Sequence, residues 1–551
     1  MQAALPAGKI RHFLSTEQLF FLILLAAFII RFWQLDLRLF HHDEAVHAWF
    51  CYELLTTGVW QYDPSYHGPF LYFVTTGMFA LLGPSDWTAR LLPSLAGFAI
   101  IPLVWCVYRI GYLTKNQMLV AALLIAVSPD MVYFSRFLRH DIFMLFFTML
   151  FIVAVLFWFD RGQTRFAVIA AVAAAGALSC KEEMPVFMLV FVLFFAHETW
   201  QGRFTLPARW KNDLLVSVLL VVVLMSTLYS AFFFHPDTLI GKNFAITAQG
   251  VHFELNTTGW YQAADHWLAM HNQQRLGGPA YYYLLLCLLY ELPVFLLGIA
   301  GTLQFVTDGL HPDLFIQKAK NWIRTRRFAL TTGDLAAATL RQLRSTAGPD
   351  RKPEEFIRLC IVWMIAAMAF YAWVGEKVPW LIIPQLLPLC FIATYRLNWQ
   401  KTAFALAGCL FLIVLTWHVA FVPADISEPI VQVQNSEDLR EVMALMDNSD
   451  RVVIASEHYW PFPWYYRGET WDRKIMFYGT VTGIDTLKKE DPGVIILHDT
   501  ESYPSIPGYT KTTYKLRYWF SFDDNKDRLP AYYVRRDGKT GSMNIDVFTR
   551  Q

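Results

Sequence analysis

The residues best suited to chemistry stand at the ends of apolar runs. The stretch Phe40-His41-His42-Asp43-Glu44-Ala45-Val46-His47 sets two adjacent carboxylates and three histidines among aromatic and aliphatic neighbours. A carboxylate in a partly dry pocket can serve as general base for a hydroxyl nucleophile. The set Asp43, Glu44, His42 and His47 also offers the oxygen and nitrogen donors that suit a divalent cation such as Mg, Mn or Zn. Glu44-x-x-His47 puts its two ends on one helical face without forming the His-Glu-x-x-His of zinc peptidases. A plainer reading makes Asp43 the cap of a juxtamembrane helix, and both can hold together.

Cations recur at other run ends. His67, in Tyr66-His67-Gly68-Pro69, stands near a helix start whose free N–H groups favour an anion, or in an interfacial aromatic belt. In Ser135-Arg136-Phe137-Leu138-Arg139-His140-Asp141, helical spacing would put Arg136, Arg139 and His140 on one face. Guanidinium pairs bidentately with phosphate oxygens, and snorkelling to lipid headgroups is the alternative. Lys181-Glu182-Glu183 and Gly375-Glu376-Lys377-Val378-Pro379-Trp380 each set one lysine beside carboxylates, where an internal ion pair would also satisfy it. Together these segments suggest a negatively charged, phospholipid-like substrate.

The elements that must position them are membrane helices. The 551 residues are 55% hydrophobic and 17% charged, against about 25% charged in soluble domains. With 46 basic and 45 acidic residues there is no nucleic-acid footprint. Apolar runs near 18–36, 87–108, 117–134, 142–159, 166–180, 184–198, 213–234, 280–306, 356–374, 380–395 and 402–421 predict about 11 transmembrane helices. The run 69–82 reaches only about 21 Å as a helix, short of a 30 Å crossing. Left outside the count, it lets Lys9, Arg11, Arg109, Lys115, Arg161, Arg165 and the basic loop 307–355 gather on one side. The positive-inside rule then predicts a cytoplasmic N-terminus, an interfacial helix at 69–82 and an outer C-terminus.

The expected architecture is therefore an α-helical polytopic membrane domain over 1–421, with juxtamembrane helices, and an extracytoplasmic α/β domain over 422–551. Strands are predicted at 452–456, 474–478, 493–497 and 531–535, and helices at 437–446 and 484–489. The outer loop 235–279 is rich in Trp, Tyr and His and carries the sequon Asn256-Thr257-Thr258. The seven cysteines read as small apolar side chains.

In their order along the chain, Asp43-Glu44, the Pro-containing interfacial helix, Ser135-Arg136-x-x-Arg139-x-Asp141 and Gly375-x-Lys377-x-x-Trp380 resemble the C-type glycosyltransferase superfamily. These are polytopic enzymes that use polyprenyl-phosphosugars, and the likeness is to the protein O-mannosyltransferase and aminoarabinose transferase branch. The segments 375–380 and Tyr459-Trp460-Pro461-Phe462-Pro463-Trp464-Tyr465 resemble signatures of a prokaryotic, largely archaeal subgroup of flippase-activity-associated proteins.

The resemblance implies inverting transfer of a sugar from dolichyl or undecaprenyl phosphate to a glycan, lipid or protein hydroxyl at the outer face. It implies Asp43 as general base, with Glu44 supporting it or helping to bind a cation. Arg136, Arg139 and Lys377 would hold the donor phosphate, with His67 and Lys181 as further contacts. His67 stands where the branch often has lysine, and Arg139-His140-Asp141 replaces the commoner Arg-Pro-Asp. The alternative is a non-enzymatic transporter or flippase component for lipid-linked sugars. A transporter, however, carries ionisable groups near the midplane on broken helices, whereas these gather at one surface.

Overall fold

In the computed structural model, residues 14–236, 239, 242–248, 251–257, 259–273, 277–308 and 351–551 are described. All eleven apolar runs are helical. In chain order the first ten helices are α1 (Thr16–Phe32), α2 (His42–Thr57), α3 (Phe70–Leu82), α4 (Asp86–Arg109), α5 (Lys115–Val127), α6 (Pro129–Ser135), α7 (His140–Arg161), α8 (Thr164–Leu178), α9 (Met184–Trp200) and α10 (Trp210–Tyr229). Ser15, Ser85 and Thr114 start α1, α4 and α5 by capping boxes, which satisfy two otherwise free amides at each end.

Among the described residues, five helices are long and apolar enough to cross a membrane: α4, α7, α10, Lys352–Trp373 and Trp399–Phe421. Two expected spans are each a broken pair. The run 117–134 divides into α5 and α6 at 59°, and 280–306 divides into Tyr282–Tyr290 and Leu292–Asp308 at 115°. A proline in the first turn of the second helix, Pro129 or Pro293, cannot continue the preceding helix. Apolarity alone does not reveal such breaks. The other expected spans are shorter helices: α1, α8, α9 and the segment 379–392, which begins as a 3-10 turn.

Ala121, Ala122 and Ile125 of α5 and Leu145, Met149 and Ile152 of α7 belong to one buried core. By contrast α10 turns Leu215, Leu219 and Val222 outward, as Trp399–Phe421 does Leu410, Val414 and Trp417. Exposed faces this apolar need hydrocarbon around them, which makes the protein multi-pass in a membrane.

Strands β1 (Lys242–Ala248) and β2 (Val251–Thr257) form an antiparallel pair. The C-terminal sheet contains β3 (Gln434–Asn435), β4 (Val452–Ala455), β5 (Ile475–Phe477), β6 (Val494–His498), β7 (Tyr509–Phe520) and β8 (Thr540–Arg550). Its order is β3-β7-β8-β6-β4-β5, parallel at β5/β4/β6 and antiparallel elsewhere. The expected strand at 531–535 is instead helical, within Leu529–Arg535, because Pro530 in its first turn favours a helix start and Tyr532 packs inward. The two longest strands, β7 and β8, were not predicted. Lys511, Thr512, Thr513 and Lys515 dilute the apolar signal of β7.

The sheet grips the membrane helices at the 37–42 loop. Arg38 donates to the Val419 carbonyl (3.0 Å) and to the Tyr518 hydroxyl (3.1 Å). Trp464 and Tyr465 donate to the two Asp86 oxygens at 2.7 and 3.0 Å, tying the aromatic motif 459–465 to the start of α4. Most of the basic connector 307–355, together with Lys9, Arg11 and Thr258 of the sequon, lies outside the described residues.

Candidate active site

A cavity of about 490 Å³ forms where the start of α2, the turns before α3 and α7, the corner at 181–183, the turn at 374–381 and β7 meet. Of the expected site residues, Asp43, His67, Arg139 and Lys181 line it, whereas Arg136 and Lys377, expected to converge with Asp43 and Arg139, do not.

The local sequence aims Asp43. The His41 ring accepts the Asp43 amide (3.0 Å) while the His41 amide donates to Glu44 (3.0 Å), so a histidine makes the capping box of α2. The other His41 nitrogen bonds the Gln432 carbonyl, which fixes the tautomer with its proton on Nε2. Asp43 then projects into the cavity with its side chain 30% exposed, paired to Arg139. Burial alone would raise the Asp43 carboxyl. The Arg139 guanidinium outweighs it and holds the acid well below the usual carboxylate range.

The Arg139 guanidinium carbon lies over Trp380, 3.8 Å from the ring centre, with its Nε 3.4 Å from Asp141. Lys181 donates to the other Asp141 oxygen (2.8 Å) and approaches Glu183 (3.3 Å). Burial would lower the Lys181 ammonium, but Asp141 and Glu183 raise it above its ordinary value. Asp141 thus bridges the two cations and sets their separation.

His67 pairs with Glu182 at 2.9 Å and holds φ at 67°, a region most side chains avoid and one found at functional sites. The next residue must be glycine for a different reason. A Cβ at Gly68 would sit 2.1 Å from the Ser179 carbonyl oxygen. The Gly68 and Phe70 amides donate to Cys180 and Ser179 (3.1 Å each), and His140 bonds the Gly68 carbonyl at 3.0 Å. This stitching sets His67 beside Lys181.

The remaining expected residues lie elsewhere. Glu44 is buried and turned from the cavity, accepting from Arg90 (2.8 and 2.6 Å) and from the Leu138 amide (2.8 Å). Arg136 donates to the carbonyls of Ile30, Arg31, Trp33 and Gln34 at 2.7–3.2 Å and stacks on Phe421, closing the end of α1. It shares no helical face with Arg139, because α6 ends at Ser135 and α7 begins at His140. Lys377 donates to the carbonyls of Tyr371, Ala372 and Val374 at the end of Lys352–Trp373, and burial lowers its ammonium. Neither Arg136 nor Lys377 lines the cavity.

The four candidate metal ligands do not converge. Asp43 meets Arg139 and Glu44 meets Arg90. His47 meets the Tyr72 hydroxyl (2.8 Å), and His42 meets Arg517 (3.3 Å). Burial lowers His47 to about 3, and burial with Arg517 lowers His42 to about 4. Among the described residues no group of three or more His, Cys, Asp or Glu is placed to hold a metal, so no step is assigned to a divalent cation.

One cavity residue has no counterpart in the expectations. Arg517, on β7, reaches from the C-terminal sheet beside Asp43. Among the described residues its guanidinium hydrogen-bonds only ring nitrogens, of His42 (3.3 Å) and His458 (3.4 Å), and its Nε is buried without a partner there. Burial lowers its pKa, a cost that an anion in the cavity would offset. Nothing local marks it, since the register of β7 decides which face it takes.

Residues 66–229 match the family model described as dolichyl-phosphate-mannose-protein mannosyltransferase. A curated relative, protein O-mannosyl-transferase 1 of Danio rerio, is 28% identical over 197 residues, which is 34% of this chain. The chain spans 26% of that relative's length. Among solved structures, ArnT from Cupriavidus metallidurans bound to undecaprenyl phosphate is 14% identical, with 96% of this chain and 97% of that one covered, at a TM-score of 0.48. The Archaeoglobus fulgidus oligosaccharyltransferase tethered with an acceptor peptide is 12% identical, with 96% and 74% covered, at 0.47. Over residues 66–229 the chain thus resembles the dolichyl-phosphate-mannose-protein mannosyltransferases, in line with the likeness to the C-type glycosyltransferases read from its motifs.

Proposed function

We propose that the protein is a glycosyltransferase that moves a sugar from a polyprenyl-phosphate donor to an acceptor hydroxyl, with inversion, at the outer face of the membrane. The observation that carries this reading is the convergence of an open, ionised Asp43 with Arg139, Lys181 and Arg517 around one cavity at the helix ends. The outer placement rests on the distribution of basic loops.

In the proposed step, the donor phosphate lies against Arg139, Lys181 and Arg517, with His67 at its edge. The acceptor oxygen attacks the anomeric carbon from the face opposite the phosphate. The bond from that carbon to the phosphate oxygen breaks, its electron pair leaves with the polyprenyl phosphate, and the acceptor proton passes to Asp43. Leaving-group charge grows in the transition state, so cations already fixed in place lower the barrier. Glu44, through Arg90, holds α2 in register, and Arg136 and Lys377 hold the ends of two helices.

The Asp43–Arg139 pair gives this site a trigger. A carboxylate held so acidic is a weak base. A phosphate bound to Arg139 competes for the same guanidinium, loosens its grip on Asp43 and lets the carboxyl rise toward its ordinary value. Donor binding thereby creates the base that the transfer needs.

The test uses purified protein and mannosyl-, glucosyl- and aminoarabinosyl-polyprenyl phosphates labelled in the sugar. Release of polyprenyl phosphate with label on an acceptor is expected from at least one donor. One observation favours the transporter alternative. Asp130 and Glu291, both fully buried, meet at the two helix breaks, where the Asp130 amide donates to the Glu291 carboxyl at 3.2 Å. Movement of intact donor across vesicles without sugar release would establish that alternative and end the enzymatic one.

A further inference from the structure

A second cavity, of about 470 Å³, lies between the middle of α2 and the sheet domain. Its walls are the rings of Trp49 and Tyr52 from α2 and of Tyr459, Trp460, Trp471 and Phe477 from the sheet side. The rings are set at angles to one another. Trp49 stands edge-on to Trp460 (6.3 Å), Tyr459 stacks on Trp460 (5.7 Å) and meets Phe477 edge-on (4.7 Å), and Trp471 tilts against Phe477 (6.0 Å). Two carboxylates, Glu53 and Asp472, reach the same space, and Asp472 is exposed. Among the described residues no Leu, Ile, Val or Met lines it, and no Lys, Arg or His.

That composition selects a ligand. A sugar ring has a C–H face that packs on an aromatic face and a hydroxyl edge that donates to carboxylate oxygens. Peptides call for aliphatic side-chain pockets or a run of backbone partners. Two lining carboxylates disfavour phosphate, sulfate and uronic acids, and Arg467, over the Tyr52 ring, directs its donors to the Trp464 and Pro84 carbonyls.

The cleft and the first cavity are neighbours through shared walls. His67 lines both the first cavity and a smaller one of about 250 Å³, and Glu53 lines both that smaller one and the aromatic cleft. Helix rise sets Trp49 about 9 Å and Glu53 about 15 Å along α2 from Asp43, a span that a short oligosaccharide covers.

We infer that the aromatic cleft binds a neutral oligosaccharide, the part of a glycan acceptor behind the hydroxyl presented to Asp43. The acceptor role rests on the proposed transfer, whereas the binding itself does not. The sheet domain would thereby select the acceptor while the membrane helices hold the donor.

The test uses the full chain in lipid nanodiscs on an array of neutral oligosaccharides, uronic-acid oligosaccharides and Ser/Thr peptides, with polyprenyl-phosphate affinity measured in parallel. Neutral oligosaccharides should be retained. Trp460→Ala should weaken retention about tenfold, as expected for the loss of one stacked ring. Asp472→Asn, at an exposed site that tolerates the change, should weaken it similarly, and polyprenyl-phosphate affinity should be unchanged in both variants. Failure to retain any neutral oligosaccharide, retention of only peptides or uronic acids, or retention unaltered in both variants would overturn the inference. Oligosaccharide retention by a protein that shows no polyprenyl-phosphate binding would instead remove the transferase reading and leave the cleft standing.

Discussion

Asp43→Asn separates the two jobs assigned to one carboxylate. The substitution keeps shape and helix start, because the His41 cap is made to the backbone amide of residue 43. It removes the proton acceptor, and loss of a positioned general base costs about 10²–10⁴-fold in rate. It also frees Arg139 from an ion pair whose partners are 30% and 8% exposed, leaving Asp141 beside it. A charge-assisted hydrogen bond contributes about 1.5–3 kcal/mol, and the donor phosphate no longer has to displace this one. Donor affinity should therefore stay equal or rise, by up to about tenfold for each 1.4 kcal/mol released. The assay pairs titration of polyprenyl phosphate with single-turnover transfer. Normal transfer, or a marked loss of donor affinity, would refute the reasoning.

The same pairing fixes a pH response. Because Arg139 depresses the Asp43 acid, the pairing contributes fully above the ordinary carboxylate pKa and is lost only as pH falls through the depressed value. The acid limb of kcat/KM, which reports the free protein, should then lie lower than the acid limb of kcat, which reports the donor complex; coincident limbs would count against the trigger. Glu44→Gln, unlike Asp43→Asn, leaves buried Arg90 without its carboxylate and should cost about 3–5 kcal/mol, seen as poor yield or early thermal unfolding. Lys377→Ala removes donors to three helix-terminal carbonyls, so thermal stability should fall by about 1–3 kcal/mol with donor affinity kept; unchanged stability with weaker donor binding would restore the phosphate role. Gly68→Ala must push the His67 turn off the Ser179 carbonyl and should lower transfer more than donor affinity, read by separate titration and turnover.

Apolar content and run length alone placed eleven helical segments, because burial in hydrocarbon constrains composition over some twenty residues at a time. The acidic pair after α1, the cations at run ends and the resemblance to a superfamily were equally legible, since each depends on residue types at short spacing. Tertiary structure decided which of those groups act together. Asp43 and Glu44 are neighbours in the chain, yet one helix turns the first into the cavity and the second onto Arg90. Arg136 and Arg139 are three residues apart, yet a helix break sends one to the end of α1 and the other onto Trp380. Arg517 joins Asp43 across more than four hundred residues through the register of β7. Local sequence sets what a segment can become, whereas side-chain direction at a site follows from helix phase, breaks and strand register, which only the packed chain fixes.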